Sequence, residues 1–187
     1  MGIQSSINSA IGSVQQGVAI NKILGQKLDS EISEGLGKIE TLGRESIANA
    51  TGKQEELFKK QKDLSEGIEQ TTLDLDTDKA ELDALEKRKT LVNENGRPFV
   101  NVETEFKKAD RRVSIAKREK DIEKMKKALE EADYQFRALT LQKEHTRQML
   151  EAMHTEATSI SGRKERKEYL KNLNSAIEDI KKTKEDR

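Results

Sequence analysis

A single turn signal divides this chain into two long arms. Pro98 is the only proline among the 187 residues, and it lies in the segment Asn93-Glu94-Asn95-Gly96-Arg97-Pro98-Phe99, with arms of similar length on either side. Gly96 suits the left-handed backbone that ends a helix, and Pro98 prevents the helix from continuing smoothly. We therefore expect residues 93–99 to reverse the chain, with Asn101 as the N-cap of the returning helix.

The composition favours long helices over a large globular core. Hydrophobic residues make up 33% of the chain and charged residues 37%, and there is no cysteine. An ordinary globular domain is about 45–50% apolar. The formal net charge is +0, and the apolar residues recur at helical spacing, which argues against disorder. The predicted fold class is all-α, a long antiparallel helical hairpin (coiled coil) with a Gly-rich amphipathic N-terminal helix.

Residues 1–52 are predicted to form that Gly-rich, weakly charged amphipathic helix. Lys22 is the first charged side chain. Small residues recur every four positions and would let another helix approach closely. This small-residue ridge consists of Ser5, Ser9, Ser13, Gly17, Gly25, Ser33 and Gly37. The apolar face expected to mediate assembly or membrane contact within residues 1–21 consists of Ile3, Ile7, Ile11, Val14 and Val18. The alternative is that this face simply packs in the bundle or in an oligomer.

Residues 53–160 carry heptad repeats on both sides of the turn and are predicted to form the coiled-coil hairpin. The apolar residues expected along its seam, the inner face where the two helices meet, are Leu57, Leu64, Ile68, Leu75, Ile122, Met125, Leu129, Phe136, Leu139 and Leu150. Phe106, Ala109 and Val113 are out of phase with this seam. They predict a stutter close to residues 113–115.

Charge and register both favour a hairpin over two parallel zippers. Residues 63–86 contain nine acids and one base, whereas residues 107–127 contain ten bases and four acids. Folding at Gly96 and Arg97 lays these blocks side by side, and it sets Leu64 opposite Leu129. Asp78 and Arg118 then lie within about one turn of each other. Charge pairing of this kind selects orientation and register.

Residues 161–187 are predicted to form a C-terminal basic amphipathic helix after a break at Ser161-Gly162. Its apolar stripe consists of Leu170, Leu173, Ile177 and Ile180. The basic residues are expected to form a solvated face, which could also contact phosphates or anionic lipid.

The chain shows no pattern typical of an enzyme. His145 and His154 are nine residues apart, so they point to opposite sides of a helix and cannot share a metal. Asp74, Asp76 and Asp78 imitate the start of an EF-hand loop, but Lys79 stands where that loop requires glycine. We expect no catalytic residue, metal, cofactor or small-molecule substrate. Nucleic-acid binding by residues 107–127 is not favoured, because the acidic block 63–86 can neutralise them.

The opening Met-Gly-Ile-Gln-Ser-Ser-Ile-Asn-Ser-Ala-Ile-Gly-Ser-Val resembles the Gly/Ala/Ser/Ile-rich start of small-phage DNA pilot proteins and of internal virion proteins of some podophages. In those families such a start precedes long, charged coiled coil. The resemblance implies a minor virion protein that assembles into a helical tube or crosses the host envelope during genome ejection. The predicted central turn departs from the continuous helices of a parallel tube.

Two functions are therefore expected. The first is a structural, self-assembling coiled-coil protein, which the resemblance narrows to a virion or DNA-ejection component. The second is an intracellular coiled-coil adaptor or a secretion-apparatus stalk that binds a helical partner. The expected partner is a further copy of the chain or a helical protein, with membrane contact through residues 1–21. Neither a signal peptide nor a transmembrane segment is recognisable, which favours the virion or the cytoplasm. Met1-Gly2 also opens a short N-myristoylation pattern.

Overall fold

A computed structural model describes the backbone of residues 2–88, 91–92 and 94–185. The three helices are α1 (Gly2–Glu86), α2 (Val102–Ser159) and α3 (Arg163–Glu185). Two short strands, β1 (Leu91–Val92) and β2 (Pro98–Phe99), lie between α1 and α2. The predicted all-α hairpin is confirmed.

The chain reverses between α1 and α2 through a two-stranded antiparallel ribbon that the sequence did not predict. Leu91 pairs with Phe99, and Val92 pairs with Pro98. Gly96 lies between the strands at φ 70°, in the left-handed region that glycine adopts without steric cost. Asn93 lies outside the described residues. The predicted N-cap is present, since Asn101 Oδ1 accepts a hydrogen bond from the Thr104 N–H at 3.2 Å.

The structure divides into two compact units. The first contains Met1–Gly52 and Thr140–Arg187, and the second contains Lys53–Leu139. The sequence places a boundary at the same point in α1, between Gly52 and Lys53. It ends the hairpin at residue 160, whereas the structure groups residues 140–160 with the first unit.

The first unit is a three-helix arrangement with one apolar core. Leu150 of α2 packs on Gly43 of α1, and His154 Nε2 lies 3.9 Å from Glu40 Oε2, so α2 runs antiparallel to α1. In α3, the Arg166 Nε atom lies 3.2 Å from Asp29 Oδ1 of α1, so α3 contacts α1 as well. The core contains Ile32, Ile39, Tyr169, Leu173, Ala176, Ile177 and Ile180.

The stripe predicted on the C-terminal helix is therefore largely buried. Leu173, Ile177 and Ile180 are buried and Leu170 is half-buried. Tyr169, beside them, is fully buried, and its hydroxyl donates a 2.6 Å hydrogen bond to the Met153 carbonyl of α2. A buried tyrosine hydroxyl needs such an acceptor. The helix thus serves as the third element of the bundle.

Close packing of α1 in this unit uses glycines outside the predicted ridge. The Leu173 Cδ2 atom lies 2.7 Å from where a Cβ on Gly35 would stand, and Leu150 Cδ1 lies 2.7 Å from that position on Gly43. The ridge members Ser33 and Gly37 are exposed instead. The prediction that another helix approaches closely at these two positions is therefore wrong. The side chains of its first four members lie outside the described residues. Gly35 and Gly43 pack closely because they lie on the face of α1 that meets the other two helices.

The second unit is the antiparallel hairpin. Leu75 is buried, and the other predicted seam residues of this unit are half-buried, namely Leu57, Leu64, Ile68, Ile122, Met125, Leu129, Phe136 and Leu139. Half-burial follows from geometry, since each helix of a pair has only one covered face. The Gln54 Nε2 amide donates a 3.2 Å hydrogen bond to the Phe136 carbonyl, which places these two ends of the seam together.

The stutter predicted close to residues 113–115 is absent. Phe106, Ala109 and Val113 are all exposed. The inner face of α2 continues in the same phase toward the turn and is occupied there by polar side chains, including Arg111, Ser114 and Arg118, which are partly buried. The prediction fails because it assumes that apolar residues mark the seam. Here the inner positions are held by ion pairs, and the apolar residues face outward.

Candidate functional site

A buried carboxylate organises the polar end of the hairpin. Asp78 of α1 is only 3% exposed. Its Oδ2 accepts hydrogen bonds from Ser114 Oγ at 2.5 Å and from Arg118 Nε at 2.7 Å. Its Oδ1 accepts one from Arg111 Nη1 at 3.1 Å. All three donors come from α2, so this Asp78 cluster (Asp78, Arg111, Ser114 and Arg118) fixes one helix against the other.

The electrostatics of the Asp78 cluster favour the charged forms. The hydrogen bond from Ser114 and then that from Arg118 hold the pKa of Asp78 below its ordinary value, although burial acts in the opposite direction. The same contact with Asp78 raises the pKa of the Arg118 guanidinium. Asp78 is therefore ionised near neutral pH and is occupied by donors on both oxygens. The geometry suits a structural register contact.

Further ion pairs connect the two charge blocks as the sequence predicts. Arg118 Nη1 also lies 3.0 Å from Asp74 Oδ2. Among the described residues of the second unit, the remaining ion pairs between α1 and α2 are Arg111 Nη2 to Glu81 Oε2 at 2.5 Å, Arg112 Nη2 to Glu86 Oε1 at 3.0 Å, and Lys79 Nζ to Glu119 Oε1 at 3.0 Å. These pairs are partly exposed, so each contributes little stability, and their main effect is on orientation.

The face of α2 opposite the seam carries large apolar side chains. Phe106 is 68% exposed, Val113 69% and Tyr134 71%. These residues fall on one heptad position, and Lys120 and Lys127 occupy the repeats between them. Lys117 and Lys124 flank this heptad position and are exposed as well. We call these seven residues the α2 outer stripe. In a two-stranded coiled coil this position is farthest from the partner and is normally polar. The seven-residue spacing from Phe106 to Tyr134 is the sequence signal that would have revealed the stripe.

The corresponding face of α1 is acidic around one exposed leucine. Leu73 is exposed, and Glu66, Glu69 and Asp76 lie on the same side of the helix and are exposed as well. We call these four residues the α1 outer face. The hairpin thus presents an acidic surface on one helix and a basic, partly apolar surface on the other.

The turn end of the hairpin also exposes apolar side chains. Val92, Phe99, Val100 and Val102 are all exposed, and the predicted turn residues Gly96 and Pro98 lie among them, exposed too. We call these residues the hairpin tip, and the sequence predicts a chain reversal within it, at residues 93–99. Its exposed valines and phenylalanine make it a second candidate contact surface.

The structure places the predicted site residues in different parts of the molecule. The side chains of Ile3, Ile7, Ile11, Val14 and Val18 lie outside the described ones, although their backbone belongs to α1. Leu150 is in the first unit, and the other seam residues are in the second. His145 and His154 are both exposed. They are not brought together, as their spacing predicts.

The described residues offer open hollows on the helix surfaces. One is lined by Glu56, Lys59, Lys60, Asp63, Leu64 and Met125. Another runs along α2 beside Gln148, Ala152 and Thr155. Among the described residues, no group of three or more His, Cys, Asp or Glu side chains could hold a metal ion. In the same part of the chain, no helix has a stretch both long and apolar enough to cross a membrane.

The fold and these surfaces define an α-helical hairpin protein whose second unit pairs two antiparallel helices. Comparison of the chain with protein-family models, with curated proteins and with solved structures finds no match. The function is therefore argued from the surfaces themselves.

Proposed function

We propose that this protein is a structural coiled-coil protein that assembles with further copies of itself. The observation that carries the proposal is the set of large apolar residues on the outer side of α2. The α1–α2 seam already covers the inner faces, so the exposed Phe106, Val113 and Tyr134 have no role in the hairpin's own packing. Exposed apolar residues at a regular helical spacing are typical of a helix that packs against another helix.

Sedimentation velocity over a wide concentration range tests self-assembly directly. We expect the wild-type chain to form species larger than the 21.2 kDa monomer as concentration rises. A chain that stays monomeric up to about 100 μM, where even contacts of modest affinity are occupied, contradicts the proposal.

The N-terminal segment is proposed as a second assembly or membrane-contact element. Its predicted face of Ile3, Ile7, Ile11, Val14 and Val18 precedes the first charged residue, Lys22. Low charge and small residues suit both close helix packing and contact with a lipid surface. A chain of residues 22–187 is expected to keep its helicity but to lose flotation with liposomes. If the full-length chain does not float either, the membrane part of the proposal fails and assembly remains.

The narrower proposal is a minor virion or DNA-ejection component, located in the virion. Its support is the resemblance of the opening fourteen residues to small-phage pilot and podophage internal proteins. Mass spectrometry of purified virus particles from the source would detect the chain at low copy number. Its presence only in the host-cell fraction argues for a cytoplasmic location instead.

An adaptor or secretion-apparatus stalk is the second candidate, and the exposed hairpin tip favours it. Val92, Phe99, Val100 and Val102 could form the end contact of a hairpin that binds a partner protein. This function requires a monomer or dimer that captures a helical partner. Replacing Phe99 and Val100 with serine should abolish capture of a helical partner if the hairpin tip is the contact. Capture that survives this replacement argues against the adaptor function.

A further inference from the structure

We infer that a second copy of this chain packs its α1 outer face against the α2 outer stripe, so that hairpins stand side by side. This inference rests on the proposed self-assembly and names the interface that carries it. The occupant is a second copy because the surfaces that match in charge and apolar character both belong to this chain. The contact lies entirely within the second unit, Lys53–Leu139 of each copy.

Charge complementarity is the first argument. Among the described residues, Glu69 and Asp76 on α1 form no ion pair, and neither do Lys117, Lys120 and Lys124 on α2. The internal pairs between the two helices use other side chains. The acids left on α1 and the bases left on α2 therefore remain for an external contact, and opposite charge on the two faces favours binding of one to the other.

Axial register is the second argument. The pairing that sets Leu64 opposite Leu129 also sets Glu69 level with Lys124 along the hairpin, and Asp76 level with Lys117. These pairs lie on opposite outer sides of one molecule. A neighbour displaced sideways and toward the flank of the hairpin that carries the Lys79–Glu119 ion pair, with no shift along the helices, brings each acid against the base of the adjacent copy.

In the same placement, the other residues of the α2 outer stripe also lie level with residues of α1 that suit them. Glu66 is level with Lys127, and Val113 is level with Ala80. Leu73 is level with the aliphatic stem of Lys120, which can cover apolar surface. Tyr134 is level with Lys59 and Phe106 with Lys87, pairs that suit a cation over an aromatic ring.

Like charges also occur in this placement, and they are fewer. The level pairs of opposite charge in this contact are Glu66 with Lys127, Glu69 with Lys124, Asp76 with Lys117, and Lys62 with Glu131. The level pair of like charge in this contact is Asp83 with Asp110. Attraction therefore outweighs repulsion when the copies are in axial register, and the charges select this register.

The contact joins two different surfaces, so it is heterologous. Each copy keeps one free α1 outer face and one free α2 outer stripe after it binds a neighbour. Such contacts repeat until the rotation closes a ring, or else continue as an open row. The interface thus predicts an assembly of many copies and does not stop at a dimer.

Charge reversal in two complementary variants tests the inference. The α2 variant is K117E/K124E, which sets acids level with Glu69 and Asp76, and the α1 variant is E69K/D76K, which sets bases level with Lys117 and Lys124. Each variant alone should associate about tenfold more weakly than wild type or worse by sedimentation velocity, with an unchanged circular dichroism spectrum. An equimolar mixture of the two should associate again, because each acidic face then meets a basic one.

A matched control separates the stripe from general charge effects. Lys126 is exposed on α2 but lies off the outer stripe, so K126E should associate as wild type does. Lys120 lies on the stripe, so K120E should associate more weakly than wild type. If the wild type associates and both reversal variants match it, the inference is overturned and self-assembly stands. If the wild type itself stays monomeric, the proposed function falls as well.

A second arm of the experiment tests whether nucleic acid or anionic lipid binds the α2 outer stripe in place of a second copy. Wild type and K117E/K124E are each mixed with a short DNA duplex and with vesicles of anionic lipid. Loss of DNA or vesicle binding in the variant, with self-association unchanged, overturns the inference and assigns the lysines to that ligand. Loss of self-association with no binding of DNA or vesicles supports it.

Discussion

Asp78 shows how one polar residue can determine the pairing of two helices. In the heptad repeat of α1, Asp78 occupies a seam position that is normally apolar, and it is a polar defect in that repeat. In the structure, the defect is matched by Arg111, Ser114 and Arg118 of the opposite helix. An unpaired charge at this position would be costly, because a buried ion needs compensation. A shift of the pairing separates Asp78 from at least one of these three donors, so the cluster favours the observed register.

The lowered pKa of Asp78 gives a stability prediction that depends on pH. Its folded pKa lies below its unfolded value of about 3.9, so its contribution is present above that value and is lost as the pH falls through the folded pKa. At neutral pH, Asp78→Asn should lower the urea midpoint of the hairpin clearly. The difference from wild type should shrink in acid as Asp78 becomes protonated.

The measurement is made at low concentration, where the copies are dissociated, and Asp76→Asn serves as its control, since Asp76 is exposed and lies two residues away on the same helix. It should leave the urea midpoint nearly unchanged at every pH. An Asp78→Asn difference that is constant from neutral to acidic pH contradicts the assigned role of the carboxylate.

At the scale of elements, the glycines of α1 have different roles at neighbouring positions. Gly35 is buried against Leu173, which is itself fully buried, whereas Gly37 has no atom within 4 Å of its would-be Cβ. One glycine permits close contact with α3, and the other only weakens the helix. Helix propensity alone assigns both the same cost, of about 1 kcal/mol relative to alanine.

Alanine substitutions should therefore have opposite signs two residues apart. Gly37→Ala is expected to raise the free energy of unfolding by up to about 1 kcal/mol through helix propensity. Gly35→Ala is expected to lower it, because overpacking costs about 1–3 kcal/mol and Leu173 has no solvent space to move into. Chemical denaturation of both variants measures the difference. Equal stabilisation by both would show that α3 does not pack closely here.

At the scale of the whole molecule, the C-terminal helix completes one unit and is not part of the other. Tyr169, Leu173, Ile177 and Ile180 supply much of the core of the first unit. Full burial of one such side chain is worth about 1.5–3 kcal/mol. The second unit draws its packing from Lys53–Leu139, whose residues do not include α3.

Deleting residues 161–187 should therefore act on one unit alone. Amide hydrogen exchange in residues 28–50 is expected to accelerate by about a hundredfold or more, because the core that protects these amides is opened. Exchange in residues 57–78 should stay as in wild type. A chain that ends at Ile180 keeps every core side chain and serves as the control. Unchanged protection of residues 28–50 in the longer deletion would contradict the role given to α3.

The sequence by itself determined the helices, the turn and the antiparallel register. These features follow from local rules and from charge, since heptad spacing, the Gly96 and Pro98 signal and the opposite charge blocks need only neighbouring residues or a single fold point. The N-cap at Asn101 and the break at Gly162, where φ is +79°, are local in the same sense. The ribbon of β1 and β2 was not predicted, because two-residue strands leave no periodic pattern.

Only the tertiary structure decided which faces are covered. Phe106 and Val113 look like displaced seam residues in the sequence, yet they are exposed, since Arg111, Ser114 and Arg118 occupy the inner face. Gly35 and Gly37 differ only through the position of Leu173. The burial of α3 likewise depends on packing between distant segments. Burial is a property of what lies opposite a side chain, and a periodic pattern specifies a face without specifying its neighbour.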